Sequence, residues 1–422
     1  MCKQHDHVIG KAYDHDTNKL VQGDIEQEIK TPTESVSYSR RKLLQSTATL
    51  GAGIALTGAL PTLASASAMA GSRVNVKSKG YAAIDTSGKL HPWEFERRPV
   101  GDDDVLIEIK YASICHSDIH QMKGHWGPQK YPQVPGHEIV GVVTAVGKKV
   151  SKFKVGDRAG VGCMVDSNSD CESFQQGEEQ YCPDTVFTYG YPQESSPTGI
   201  SQGGYSNNIV VKEHFAVHIP SHISFQDAAP LLCAGITTYS PLMKFNLGKG
   251  DKVGVVGIGG LGHLAIKIAV AKGADVYAFT TSPSKVNDIL EFGAKEAVVV
   301  DDVSKLANYR GKLDYVICTI PYQYDVAAYA SVVKPHGTYT QVGMPEKFEL
   351  NISAIGLSIS RVNFNVSLIG GMRETQEVVN FCADNKVFPN VQIIKAEDIS
   401  RAWEDVVNKR ARYRYVIDAS TF

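Results

Sequence analysis

The amino-acid sequence predicts a two-domain α/β protein, in which a mostly-β, barrel-like domain precedes a domain built on a doubly wound parallel sheet. Its 422 residues are too many for a single ordinary core. From about residue 72 to residue 220, short alternating polar and apolar stretches are separated by Gly and Pro, which is typical of β-strands and turns. After residue 226, short apolar stretches alternate with helical patterns, as in a parallel sheet with crossover helices.

The individual elements follow from these patterns. In the first domain Val105, Ile107 and Ile109 share one face of a strand, and charged residues take the other face. In the second domain the continuous apolar run V-G-V-V at 253–256 predicts a strand buried on both faces, followed by a helix that ends near Gly273. Further strands are predicted at 275–280, 297–300, 313–319, 337–342 and 365–368, then a helix at 374–385 and a terminal strand. The chain therefore divides into residues 1–70, 71–226, 227–368 and 369–422, and we expect the last segment to return to the first domain.

The N-terminal region, residues 1–70, is expected to lie outside this fold. Residues 1–37 are polar and aperiodic, which predicts disorder. The segment S-R-R-K-L-L at 39–44 opens a weakly apolar run that ends in A-S-A-S-A at 64–68, the pattern of a secretory signal, and its arginine pair resembles the bacterial twin-arginine signal. An uncleaved anchor or a chance arginine pair are the alternatives, although several glycines dilute the apolar run. The sequence predicts a periplasmic protein exported by the twin-arginine machinery, or a cytoplasmic one if the signal does not function.

Charge and cysteine content exclude some classes of function. The 43 Lys and Arg residues nearly balance the 45 Asp and Glu residues, and no stretch concentrates positive charge, so nucleic-acid binding has no electrostatic basis. Eight cysteines are too few for a disulfide scaffold in a chain of this length. Their spacing favours metal chemistry instead.

A dinucleotide-binding site is predicted at G-I-G-G-L-G, residues 257–262. This run follows a predicted strand and opens a predicted helix, which is the context of a Rossmann fingerprint. Glycines allow a tight turn and a close approach of the pyrophosphate to the helix N-terminus. A purely structural glycine-rich turn is the alternative. The cofactor-binding glycines would be Gly257, Gly259, Gly260 and Gly262.

The next strand predicts NADP(H) rather than NAD(H). NAD enzymes usually place an acidic residue at the end of this strand to bind the ribose 2′-hydroxyl. This chain has Thr281, Ser282 and Lys285 there, and Asp275 stands at the opposite end of the strand. Hydroxyl groups and a lysine would donate to a 2′-phosphate, which a carboxylate would repel. A polar loop without a role in binding is the alternative.

Three residues could hold a catalytic metal ion: Cys115, His137 and Cys233. Two thiolates and one imidazole can bind zinc and leave one coordination position for a substrate oxygen. Any one of them alone would more often be a buried structural residue.

These segments together resemble the zinc-containing medium-chain alcohol dehydrogenases, and most of all their cinnamyl-alcohol-dehydrogenase branch. The matching motifs occur in the same order from about residue 75 to the C-terminus and are C-H-S-D-I-H at 115–120, P-G-H-E-I-V-G at 135–141, F-K-V-G-D-R at 153–158, P-L-L-C-A-G-I-T at 230–237 and G-I-G-G-L-G at 257–262. The resemblance implies a GroES-like catalytic domain, a Rossmann domain and a homo-oligomer, either a dimer or a tetramer.

The resemblance also implies roles for individual residues. Cys115, His137 and Cys233 would be the zinc ligands. Glu138 and Asp118 would orient the site, and Glu138 could also approach the metal during ligand exchange. Zinc would polarise the substrate oxygen, the nicotinamide would give or take the hydride, and the proton would pass through Ser117 and His120.

One departure from the family concerns its second, structural zinc site. Relatives hold that ion with four cysteines, and in the aligned stretch here Asn168 and Phe174 stand at the first and third positions. Only Cys171 and Cys182 remain, which is too few for a closed tetrahedral site. The sequence therefore predicts one zinc ion per chain. The two cysteines are expected to form a disulfide after export or to stay free thiols.

The leading functional hypothesis is a zinc-dependent alcohol dehydrogenase or aldehyde reductase that moves a hydride between NADP(H) and a primary alcohol/aldehyde pair. Trp126 would line an apolar substrate pocket or simply pack. The alternatives are a zinc-independent quinone reductase and an exported nucleotide-binding protein without catalysis.

Overall fold

The computed structural model describes residues 74–422. The predicted N-terminal tail and twin-arginine-type signal lie outside these residues. None of the helices between residues 74 and 422 combines the length and the apolar character that a bilayer span needs.

The first domain is built mainly of antiparallel strands around a long central strand. Its elements are β1 Val76–Ala83, β2 Leu90–Arg97, β3 Asp104–Ser113, α1 His116–Met122, β4 Ile139–Val146, β5 Arg158–Val161, β6 Met164–Asp166, α2 Glu172–Gln175, β7 Val186–Phe187, β8 Asn208–Lys212, β9 Ala216–His218 and α3 Phe225–Ala228. Strand β3 pairs with both β4 and β8, and the sheet continues from β4 through β5 to β9. Two small two-stranded antiparallel sheets, β1–β2 and β6–β7, complete the domain.

The alternation of apolar and charged residues along strand β3 explains why one face of this sheet is buried. Val105, Ile107 and Ile109 are at most 3% exposed, whereas Glu108 between them is exposed. Burying each of these side chains contributes about 1.5–3 kcal/mol. The predicted alternation is confirmed.

The second domain contains a six-stranded parallel sheet. Its elements are α4 Ala234–Lys244, β10 Lys252–Val256, α5 Gly262–Ala271, β11 Asp275–Thr280, α6 Val286–Glu291, β12 Glu296–Val299, β13 Leu313–Cys318, α7 Val326–Ala330, β14 Val333–Gln341, α8 Ala354–Ser358 and β15 Asn363–Val366. The strand order is β12-β11-β10-β13-β14-β15, so the direction of winding reverses between β10 and β13. Ligands bind in the crevice at such a reversal, beyond the carboxyl ends of the strands. The predicted fold class, a barrel-like domain followed by a doubly wound parallel sheet, is confirmed.

Some predicted strand boundaries differ from the structure at one edge of this sheet. The strand predicted at 337–342 already begins at Val333, and a register shift interrupts its pairing with β13. The strand predicted at 365–368 lies at Asn363–Val366. Among residues 74–422 it is an edge strand that pairs only with β14, and it is mostly exposed, so its hydrophobic pattern is a weak guide to its ends.

The C-terminal segment joins the sheet of the first domain. It consists of α9 Met372–Asp384, β16 Val391–Ile394, α10 Ile399–Val407 and β17 Arg414–Asp418. Strand β17 pairs antiparallel with the end of β3, and β16 adds to β17 in parallel. Val378 and Cys382 of α9 are fully buried. This pairing places Arg414 beside the end of β3, where the candidate site begins.

Candidate active site

The predicted metal ligands come together in one buried cluster. Cys115 precedes α1, His137 and Glu138 precede β4, and Cys233 precedes α4, so separate connections converge at one point. Their ligand atoms all lie within 4.8 Å of one another, and all four residues are buried. The Sγ atoms of Cys115 and Cys233 are 4.0 Å apart, close to the roughly 3.8 Å expected for two thiolates on one tetrahedral zinc ion.

The carboxylate of Asp118 holds two of these ligands in place. One oxygen accepts a hydrogen bond from the backbone N–H of Cys115 at 2.9 Å, and the other lies 3.1 Å from Nδ1 of His137. The Tyr205 hydroxyl donates to the same carboxylate at 2.9 Å. Because Nδ1 of His137 is engaged by Asp118, its Nε2 remains for a metal ion. A carboxylate in this position orients a ligating imidazole and raises its basicity.

Glu138 is tied to the C-terminal segment. One of its carboxylate oxygens forms an ion pair with Arg414 of β17, and the other accepts from the backbone N–H of Ala234 at 3.2 Å. Arg414 also donates to the Ser113 hydroxyl at 3.1 Å. Burial raises the pKa of Glu138 to about 7, although Arg414 opposes this shift. Glu138 therefore lies beside the two thiols, and each of its carboxylate oxygens already contacts a protein group.

The donor set fits a zinc ion. Two thiols, an imidazole and a carboxylate are all ligands that zinc accepts. The hydrogen bond with Cys233 lowers the pKa of the Cys115 thiol well below its ordinary value, and His137 and Arg414 act in the same direction against the effect of burial. The thiolate is the form that binds metal. Cys115, His137 and Cys233 could therefore hold the ion, with Glu138 beside it.

The two residues predicted for the proton relay line the same cleft. The Ser117 hydroxyl lies 3.6 Å from the sulfur of Cys115. His120 is only 4% exposed, and its Nδ1 lies 2.8 Å from Nδ1 of His125. Within residues 74–422, Nε2 of His120 has no hydrogen-bond partner. Burial, together with the neighbouring His116 and His125, lowers the pKa of His120 to about 3, so the imidazole is neutral and able to accept a proton.

The cleft also contains the predicted dinucleotide loop. A single cavity of about 640 Å³ is lined by the metal cluster and by residues 257–261. Gly257 has φ +83°, which favours glycine, and a Cβ on Gly262 would lie 2.0 Å from the Gly257 carbonyl oxygen. A Cβ on Gly259 would meet nothing within 4 Å, so this side of the loop faces open space. Gly260 lies against the side chain of Arg414. Helix α5 starts at Gly262, so its free N–H groups meet the cleft.

The residues predicted to recognise a 2′-phosphate stand at the far end of the cleft. Thr281, Ser282 and Lys285 all line it. Lys285 is buried rather than extended into solvent, and its ammonium group donates to the Ile258 carbonyl at 2.6 Å. That bond uses one of its three protons. Burial and the nearby Arg412 lower the pKa of Lys285 to about 8.

Two further cations near this end of the cleft were missing from the prediction. Lys409 lines the cleft, and Arg412 donates to the Ser284 hydroxyl at 2.9 Å. Arg412 also lies 3.6 Å from the carboxylate of Asp288. Both cations follow α10 and reach residues of the nucleotide-binding domain that are distant in the sequence, so no local motif could have indicated them.

Trp126 contacts both domains. Its ring lies 5.3 Å from that of Phe348, and its indole N–H donates to the Pro345 carbonyl at 3.1 Å. It also lines the cleft. The two roles considered for it, lining the pocket and packing, occur together.

The loop at 168–182, which corresponds to the structural zinc site of relatives, contains no comparable cluster. Within the described part of the chain, the groups of three or more potential metal ligands do not include this loop. Cys171 and Cys182 are free thiols within hydrogen-bonding reach of each other, so a disulfide between them stays a prediction. Asn168 donates to Asp184 at 3.0 Å, and the Phe174 ring stacks on His214 with centroids 4.6 Å apart. Protein contacts occupy the two missing ligand positions.

Comparison with known proteins agrees with this architecture. A model of the alcohol dehydrogenase GroES-like domain matches residues 101–221, and a model of the zinc-binding dehydrogenase family matches residues 260–384. The NADP-dependent alcohol dehydrogenase C 1 of Mycolicibacterium smegmatis is 45% identical over 344 residues, which cover 81% of this chain and 97% of that protein.

Solved structures give the same result. A cinnamyl alcohol dehydrogenase from Sorghum bicolor is 37% identical with a TM-score of 0.79, covering 82% of this chain and 98% of its own. The CAD of Helicobacter pylori, solved in complex with NADP(H), is 41% identical with a TM-score of 0.79, covering 82% of this chain and 99% of its own. With both family models matched in order around the cysteine–histidine cluster and the glycine loop, the chain belongs to the zinc-containing medium-chain alcohol dehydrogenases, in their cinnamyl-alcohol-dehydrogenase-like branch.

Proposed function

We propose that the protein is a zinc-dependent, NADP(H)-linked enzyme that interconverts primary alcohols and aldehydes. The observation that carries the proposal is the single cleft, which joins the buried cysteine–histidine cluster to the glycine loop. A hydride donor and a metal-activated carbonyl can meet there. The similarity to NADP-dependent alcohol dehydrogenases supports this proposal.

In this proposal the metal site and the cofactor supply the reactive groups, and the chain positions them. Zinc held by Cys115, His137 and Cys233 supplies a Lewis acid for the substrate oxygen, and the nicotinamide supplies or accepts the hydride. Ser117, whose hydroxyl is next to Cys115, is placed to hold the proton of the alcohol. His120 is neutral and has a free Nε2, so it can accept that proton and return it in the reverse direction.

The preference for NADP(H) over NAD(H) is part of the proposal. Lys285, Lys409 and Arg412 bring three cations to the far end of the cleft, where the 2′-phosphate would be recognised. The described part of strand β11 ends in threonine rather than in an acidic residue. The NADP(H) complex of the similar Helicobacter pylori protein supports the same cofactor.

We also propose one zinc ion per chain, because two of the four ligand positions in the 168–182 loop are replaced.

Assembly into a homo-oligomer is proposed too. In the described part of the chain the edge strand β15 has no partner on one side, and its Val366 is 56% exposed. Ile355 and Ile359 of the nearby α8 region are more than 70% exposed. Large exposed apolar groups beside an open strand edge favour pairing with a second copy. Light scattering of the purified protein tests this, and a monomer would contradict it.

Export through the twin-arginine route is proposed from the sequence alone. Its support is the arginine pair Arg40–Arg41 followed by a weakly apolar run and small residues. Replacing both arginines with lysine should leave the protein in the cytoplasm of a host that otherwise exports it. Equal periplasmic amounts of the two proteins would contradict export by this route.

The function is tested by following NADPH absorbance with a panel of aromatic and aliphatic aldehydes. We expect oxidation of NADPH that is lost on zinc removal and restored by added zinc. No turnover with any aldehyde would favour a nucleotide-binding protein without catalysis. Turnover that survives zinc removal would favour the zinc-independent quinone reductase.

A further inference from the structure

A second group of potential metal ligands lies beside the cleft, and one of its members, His120, lines the cleft. We name His120, His125 and Glu346 the cleft-mouth cluster. His120 belongs to α1, His125 follows that helix, and Glu346 belongs to the loop between β14 and α8. Their ligand atoms all lie within 4.8 Å of one another. The cluster therefore joins the catalytic domain to the nucleotide-binding domain.

Two distances within this cluster are close to those between ligands that share one metal ion. Nδ1 of His120 and Nδ1 of His125 are 2.8 Å apart, and Nδ1 of His125 lies 3.6 Å from a carboxylate oxygen of Glu346. Ligands bound at about 2.0–2.1 Å to one ion are roughly 2.9–3.4 Å apart, depending on the angle at the metal. Shifts of a few tenths of an ångström would bring these two pairs into that range, and the ligand atoms of His120 and Glu346 lie within 4.8 Å of each other.

The cluster is accessible from solvent and its loop is already held in place. The side chains of His125 and Glu346 are 29% and 61% exposed, while His120 is buried behind them. Trp126 binds the Pro345 carbonyl and stacks on Phe348, which fixes the loop on both sides of Glu346. The neutral imidazole of His120 is the form that binds metal. The positive charge of the nearby Lys123 disfavours a cation at His120.

We propose that the cleft-mouth cluster binds one divalent transition-metal ion, such as Zn²⁺ or Ni²⁺, in addition to the ion at the cysteine cluster. Two imidazoles and one carboxylate suit these borderline ions better than Mg²⁺ or Ca²⁺. The bound ion would connect the two domains across the mouth of the cleft.

Inhibition is the expected consequence, and this part rests on the proposed function. An ion on His120 takes its imidazole out of the proton relay. It also ties Glu346 to α1, which restricts exchange of substrate and cofactor through the mouth. Excess zinc at the cleft-mouth cluster would therefore reduce turnover, although the enzyme needs zinc at the cysteine cluster.

The test titrates the zinc-loaded enzyme with Ni²⁺, because elemental analysis separates added nickel from resident zinc. We expect one bound Ni²⁺ per chain at unchanged zinc content, together with a loss of NADPH-dependent aldehyde reduction. In Glu346→Gln and His125→Ala, Ni²⁺ binding should weaken by more than about ten-fold. Glu346→Gln should keep the basal activity and require correspondingly more Ni²⁺ for inhibition.

His222→Ala provides a matched control, since His222 forms a surface pair with Asp384 at 3.1 Å outside the cleft. This variant should bind and respond to Ni²⁺ as the unchanged protein does. Nickel binding that is the same in all variants, or that displaces the resident zinc, would overturn the proposal. Binding is measured without substrate, so the site is tested even if no aldehyde is reduced.

Discussion

Two regions of the catalytic domain carry cysteines from metal motifs, yet they differ in what surrounds those cysteines. Around Cys115 and Cys233, an imidazole and a carboxylate converge to within 4.8 Å, and all four groups are buried. Around Cys171 and Cys182, the other two ligand positions are an asparagine and a phenylalanine that bind protein groups. The two cysteine pairs therefore differ in the further donors beside them, and only the pair Cys115 and Cys233 belongs to a group that could hold a metal ion within the described residues.

Side-chain contacts connect the 168–182 loop to the rest of the protein. Phe174 stacks on His214, whose Nε2 lies 2.7 Å from a carboxylate oxygen of Glu179. The second oxygen of Glu179 accepts from the backbone N–H of Met372 at 3.0 Å, at the start of α9. A chain of contacts thus links the loop to the C-terminal segment. Such contacts are individually weaker than a closed zinc site but need no metal ion.

The largest expected effect separates the two regions directly. Cys233→Ser removes one thiolate from the complete cluster, so bound zinc should fall from one ion per chain to nearly none. The catalytic efficiency for aldehyde reduction should fall by about a thousand-fold, roughly 4 kcal/mol of transition-state stabilisation. Elemental analysis and steady-state kinetics measure the two quantities.

Cys171→Ser is the matched variant in the loop. It should retain one zinc ion and nearly all activity. Loss of zinc in Cys171→Ser, or two zinc ions in the unchanged protein after dialysis against a weak chelator, would show that the loop does bind metal. Circular dichroism checks that both variants are folded.

A smaller effect is expected from the residue that supports the cluster. Asp118→Asn keeps the shape of the side chain but removes the charge that faces Nδ1 of His137. Zinc affinity or activity should fall by about 10–100-fold. A competition assay with a coloured chelator measures the affinity. An unchanged affinity would mean that the hydrogen-bond geometry at His137 matters and the charge of Asp118 does not.

The cofactor end of the cleft allows a test that leaves both cysteine regions untouched. The pKa of Lys285 is about 8, below the usual value for lysine, so its ammonium group is protonated below pH 8 and loses its charge above it. The KM for NADPH should therefore rise between pH 7 and pH 9, while the KM for NADH stays nearly constant. Lys285→Met should raise the KM for NADPH about 10–100-fold at pH 7 and abolish this pH dependence.

Zinc content serves as the control for Lys285→Met and should remain at one ion per chain. If the KM values for NADPH and NADH rise together, Lys285 supports the glycine loop through the Ile258 carbonyl and does not recognise the phosphate. Lys409→Met, at a lysine whose ammonium group lies 4.4 Å from the centroid of the Tyr322 ring, would then report on the 2′-phosphate.

Local patterns allowed much of the fold and the motif residues to be predicted. The apolar run before Gly257 and the alternation in β3 depend on neighbouring residues, so they are visible in one sequence. Arg414 was not predicted, because its role depends on a contact with Glu138 from 276 residues away. His125 is five residues from His120, but nothing in the sequence shows that their ring nitrogens meet. The ends of β15 depend on its neighbour β14, which a local pattern does not describe.

The smallest expected effect concerns the loop itself. Phe174→Ala removes the ring that stacks on His214, and it should cost about 1–2 kcal/mol of stability, because Phe174 is only partly buried. Phe174→Leu, which keeps most of the apolar volume, should recover part of this loss. Chemical denaturation of the zinc-loaded protein measures the difference, and zinc content and activity should be unchanged in both variants. If Phe174→Ala is as stable as the unchanged chain, stacking on His214 does not hold the loop, and the contacts of Glu179 with His214 and Met372 suffice without it.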